Sequence, residues 1–157
     1  MHPIEQFAFE FNIQEDYFEC HEVLEELWQA GGRTDESLVA LIQLAVARYH
    51  HRRGNLTGAL RTYPKAFQKI ERHAASLTAA GIDAGRLIEL KDTFMTNDYQ
   101  RIELPIDDHL ARCLTKQSLE PLDRPFLVDK HRLRNRQDVI DARQAALVTR
   151  GKWKNRS

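Results

Sequence analysis

His21 and Glu25 stand four residues apart in the stretch Tyr17-Phe-Glu-Cys-His-Glu-Val-Leu-Glu-Glu-Leu-Trp28. On a helix that spacing is about one turn, so the imidazole and the carboxylate share a face and can exchange a proton or ligate one ion. Placed at about 100° per position, residues 15–28 sort into two sides. Leu27, Cys20, Leu24, Tyr17, Trp28 and Phe18 fall in one half, and Glu15, Glu19, Glu22 and Glu26 fall on or near the other. His21 lies between Tyr17 and Leu24, and Glu25 between Trp28 and Phe18, so both are expected to point into or along the core. A carboxylate placed there needs a cation, a metal or hydrogen-bond donors, because burying it unmet is costly.

Partners are expected on the next helix, where Gln43, Ala47 and His50 follow one line at i, i+4 and i+7, with Ala47 leaving space between two polar groups. Asn55, just past Gly54, could close the end of the same cavity. Three chemistries fit His21, Glu25 and His50. A divalent metal could be ligated by the three of them. Without a metal, His21 or His50 could titrate and Glu25 orient it, giving a small-ligand pocket with Trp28 as a wall and Gln43 and Asn55 as polar contacts, hydrolysis being one reaction it allows. A non-catalytic assembly protein could instead use the same side chains as a satisfied network that sets helix register. His21-Glu-Val-Leu-Glu25 begins like the zinc motif His-Glu-x-x-His but has Glu25 at the second ligand, so that assignment fails. No serine or cysteine motif marks a nucleophile, Cys20 reads as core, and His51 and His73 read as solvent-facing or amphipathic and receive no role.

These residues must be positioned by helices. Asn12-Ile-Gln-Glu15 reads as a capping box opening a helix that runs to Ala30, stopped by Gly31-Gly32. A second helix starts near Thr34 or Asp35 and ends at Gly54; it is apolar on nearly every side in its first half and should lie centrally. Asn55 caps a third, extending to about Ala80, which Pro64 should kink or split. Asp83 caps a fourth, Ala84 to about Thr96. Beyond it Arg101–Ile106 reads as extended chain, Asp108–Lys116 as a short helix and Gln137–Thr149 as a last one. The expectation is an all-α, compact bundle of four or five helices with an irregular basic C-terminal arm. Residues 1–98 form the helical bundle domain, and 99–157 a Pro-interrupted extension and arm packed on the bundle or on a partner subunit.

At 157 residues and 42% apolar content, one domain can bury its own core. Two cysteines, Cys20 and Cys113, are too few for a disulfide scaffold and read as thiols. With no export leader and no spanning segment read, a cytoplasmic location without a membrane partner is expected. Net charge is zero but uneven: residues 124–157 hold ten Lys or Arg against three Asp, a surplus of seven positive charges that the remainder offsets. Docking of the arm on its own acidic body or on a second subunit of a homo-oligomer is favoured over nucleic-acid binding, for which Trp153 among Lys152, Lys154 and Arg156 would be the stacking group.

Tyr17–Trp28, followed by Ile42-Gln-Leu-Ala-Val-Ala-Arg-Tyr-His50 and Arg53-Gly-Asn-Leu-Thr-Gly-Ala59, resembles the bacterial and archaeal family catalogued as domain of unknown function 309. The resemblance covers about residues 7–70. It implies a small helical bundle in which His21, Glu25, Trp28, Gln43, His50, Gly54, Asn55, Gly58 and Ala59 come together across the first two long helices and the following turn. The family is uncharacterised, so it implies no activity. The extension from about Asn97 to Ser157 departs from the family's compact pattern and could cover the pocket or a partner subunit.

Overall fold

The chain opens with a helix that the sequence reading did not place. In the computed structural model, which describes residues 2–119, α1 (Pro3–Phe9) starts at His2, whose Nδ1 accepts the Ile4 amide at 3.1 Å, with Pro3 in its first turn. It buries Ile4, Phe7 and Ala8 and runs into a π-helical turn, Glu10–Gln14. The turn ends at Glu15, whose φ of 53° is left-handed, and Asp16 then caps α2 (Tyr17–Ala30) by accepting the Glu19 amide at 3.0 Å. The cap is therefore Asp16 and not Asn12. Asn12 is only 6% exposed and faces inward, where its Nδ2 donates to the Leu104 carbonyl at 3.0 Å and its Oδ1 accepts the Leu104 amide at 2.7 Å.

α3 (Glu36–Arg52) is capped by Asp35 and closed by Gly54 at a φ of 80°, as its sequence predicts. Buried on most of its circumference, it packs against α2 and α4 (Leu56–Arg72) and is the axis of the bundle. Asn55 caps α4 through the Gly58 amide at 3.1 Å, and Gly58 permits this because a Cβ there would come 2.6 Å from Asn55 Nδ2. α4 passes through Pro64 without ending and stops at His73, followed by α5 (Ala74–Ala79). Pro64 lies on the exposed face of the helix, while Ala59, Tyr63, Ala66, Phe67 and Ile70 hold the opposite face in the core.

The predicted fourth helix is divided at Leu90 into α6 (Ala84–Glu89), capped by Asp83, and α7 (Lys91–Phe94). The extended stretch after it forms an antiparallel bridge between Ile82 and Ile106 and leads into α8 (Asp108–Leu119). The described residues thus hold eight α-helices instead of four or five, because α1 is added and two long helices are broken; the all-α bundle itself stands. The described residues up to Gln117 make up one compact unit. No helix among the described residues is long and apolar enough to cross a membrane. The helix expected at 137–149 and the basic arm at 124–157 lie outside them.

Candidate functional site

His21, on the inner side of α2, is 7% exposed, and both of its ring nitrogens meet carboxylates. Nε2 lies against Glu25 Oε2 one turn on, and Nδ1 lies 3.2 Å from Glu22 Oε1. Glu22, read from sequence as an outward residue, is half exposed yet reaches back. Burial pulls the His21 pKa down, but the hydrogen bonds to Glu22 and Glu25 and their charges outweigh it and leave it above the ordinary histidine value.

Glu25 also accepts from Gln29 Nε2 at 3.4 Å. Trp28, two turns beyond His21, is buried, with the Arg33 guanidinium 5.9 Å from its ring. On α3, Gln43 is half buried, and its Oε1 is buried without a hydrogen-bond partner among the described residues. His50 Nδ1 lies 3.3 Å from Asn55 Nδ2; the amide donates, so the His50 proton sits on Nε2. The rings of Phe18 and Tyr49 separate the two polar pairs, with centroid distances of 6.3 Å from His21 to Phe18, 6.4 Å from Phe18 to Tyr49 and 6.1 Å from Tyr49 to His50. The structure brings His21 to Glu25 and His50 to Asn55, but the ligand atoms of His21, Glu25 and His50 do not gather within 4.8 Å of one another. These three do not fit a shared metal ion.

A second polar cluster lies deeper and was not anticipated. Arg48 of α3 is fully buried, and its guanidinium lies 4.4 Å from the Tyr99 ring, 5.1 Å from Phe94 and 5.4 Å from Tyr17. It donates to Tyr63 Oη at 3.3 Å, to Tyr17 Oη at 3.4 Å and to the Gln100 carbonyl. Tyr17 and Tyr99 share a hydrogen bond of 2.8 Å, and Tyr99 donates to Glu15 at 3.1 Å. Burial opposes the Arg48 charge, but the Tyr63 and Tyr17 hydroxyls more than restore it, while burial lifts the Tyr63 and Tyr99 hydroxyls above their ordinary range. The cluster surrounds a buried cation with phenol hydroxyls and links it through Tyr17 and Tyr99 to Glu15.

His51 belongs to this cluster, which overturns its reading as solvent-facing or amphipathic. It is 3% exposed, its Nδ1 lies 2.9 Å from Tyr63 Oη, and burial together with the Arg48 charge lowers its pKa. Chain from 94–100 covers the last turns of α3, and a wheel drawn on α3 alone does not contain that cover. One signal was present: Arg48 continues the Leu41, Leu44 and Ala45 line at helical spacing, a charge on the core face.

The model of the family described as "Domain of unknown function (DUF309)" matches residues 4–62. The chain is also similar to the "Uncharacterized protein YpuF" of Bacillus subtilis (strain 168), 37% identical over 163 residues that span 93% of this chain and 94% of that protein. No solved structure matches. With His21, Glu25, Trp28, Gln43, His50 and Asn55 all falling inside the matched segment, and likeness to YpuF extending over nearly the full length of both proteins, the chain belongs to the DUF309 family.

Proposed function

We propose that the polar side chains where α2 meets α3 bind a small polar molecule and exchange a proton with it through His21 and Glu25. The observation that carries this reading is an imidazole clamped between two carboxylates within an apolar wall, since such a group stores a proton above the ordinary histidine range. Gln43 supplies a buried acceptor for a ligand N–H or O–H, Trp28 a flat wall, and His50 with Asn55 the far polar contact. Acid–base hydrolysis is the reaction class this donor set suits. The competing reading makes the same residues a non-catalytic device for helix register.

A thermal-shift screen of small polar compounds on the full chain, followed by binding to His21→Gln and Gln43→Leu, separates the two. Ligand function predicts a compound that raises the melting temperature and loses about tenfold or more in affinity in each variant. Variants that melt early yet bind every compound as the wild type does would leave only the structural role.

The charge surplus of residues 124–157 supports a second, independent role: an arm that holds a homo-oligomer together. Deleting the arm should then reduce the mass in solution. Salt-dependent retention of nucleic acid, lost in the same deletion, would favour the nucleic-acid alternative.

A further inference from the structure

Glu5, His109 and Cys113, from opposite ends of the described chain, meet at the junction of α1 and α8. His109 and Cys113 are one helical turn apart on the same face of α8, and Glu5 lies in the first turn of α1. One ligand atom from each lies within 4.8 Å of the other two. We propose that these three side chains bind a zinc-class divalent cation that ties α8 to α1.

The donor set carries the chemistry. A thiolate, an imidazole and a carboxylate suit a borderline-soft ion and disfavour magnesium and calcium, and the thiolate and carboxylate together neutralise a dication. Ligand atoms bound at about 2.0–2.3 Å around a tetrahedral ion lie roughly 3.3–3.8 Å apart. Closing the site therefore takes a movement on the order of 1 Å, which the exposed His109 side chain can supply by turning.

The frame is set without the ion. Asp107 caps α8 through the Leu110 amide at 2.8 Å, and its own amide donates to Gly81 at 2.9 Å, beside the Ile82–Ile106 bridge. Leu110 and Leu114 are buried, as are Ile4 and Phe7 of α1, so core packing sets the rotation that presents the ligands. The Cys113 thiol already points at Glu5, with Sγ 3.6 Å from Oε1. Binding breaks the S–H bond, forms a sulfur–metal bond and releases that proton to water. Water completes the fourth position on the exposed side.

The test uses the full chain, purified without a polyhistidine tag, reduced and stripped of metal, and titrated with cobalt and then zinc. The site predicts about one equivalent of cobalt with thiolate-to-metal absorption, displaced by zinc, and a zinc-dependent rise in melting temperature. Cys113→Ser should remove the absorption, His109→Ala and Glu5→Gln should weaken zinc by about tenfold or more, and Cys20→Ala should change neither. All three ligands are partly or fully exposed, and circular dichroism checks that the variants keep the helical fold. Absorption that survives Cys113→Ser, zinc affinity unchanged by these substitutions, or zinc binding only at millimolar concentration overturns the site.

Discussion

His21 and His51 are both nearly buried, yet their surroundings drive them in opposite directions. Carboxylates on both sides raise His21, whereas burial and the Arg48 guanidinium lower His51. In an NMR titration, His21 should therefore show its midpoint above, and His51 below, the ordinary value of about 6.5. Stability should follow with opposite signs. The folded state favours the charged His21, so its contribution is full below about pH 6.5 and is lost as pH rises through its raised value. The folded state disfavours the charged His51, so its contribution is full above about pH 6.5 and is lost as pH falls through its lowered value. Urea unfolding across pH should show His21→Gln losing most in acid, with the gap to wild type closing in alkali. A gap that widens in alkali would mean that Glu22 and Glu25 do not hold the proton. Tyr63→Phe removes a hydroxyl facing both Arg48 and His51, and should cost about 1–3 kcal/mol while shifting the His51 midpoint.

At the scale of elements, local punctuation was legible. Asp35, Asn55 and Asp83 cap the helices their positions announced, and Gly54 adopts the left-handed turn that ends α3. Helical phase turned His21 inward and put Glu25 one turn away. Asn12 has the residue type of a cap, but its amide is committed to Leu104, 92 positions on, and a capping pattern has no access to that partner. The corrected boundary makes separable predictions for amide exchange. Asp16→Ala should cost about 1 kcal/mol and speed exchange at Glu19, in the first turn of α2. Asn12→Ala should leave α2 intact but speed exchange at Leu104, with a larger loss of about 2–3 kcal/mol because two buried backbone groups lose their partner. Faster exchange at Glu19 in Asn12→Ala would return the cap to Asn12.

Over the whole molecule, the contacts of the Arg48 cluster escaped the sequence for one cause. Tyr17 meets Tyr99 across 82 residues and Arg48 meets Gln100 across 52, so the chain after α7 closes over the ends of α2 and α3. Periodicity gives the direction in which a side chain leaves its helix and does not name what arrives there. Arg48 is the point where these elements converge, with Tyr17 from α2, Tyr63 from α4, and Phe94, Tyr99 and Gln100 from the covering segment. Its planar fork reaches two hydroxyls and a carbonyl at once while its faces lie on aromatic rings, a pattern a lysine ammonium cannot copy. Arg48→Lys keeps the charge, loses the fork and must still be desolvated, so it should lose about 3–5 kcal/mol. Arg48→Met leaves the phenols some freedom to bond one another, fills most of the volume and buries no charge, so it should lose less. Unfolding midpoints that rank methionine above lysine would make guanidinium geometry, and not charge alone, the reason for an arginine at the centre; the reverse order would mean that any cation serves and that the aromatic cage recognises charge.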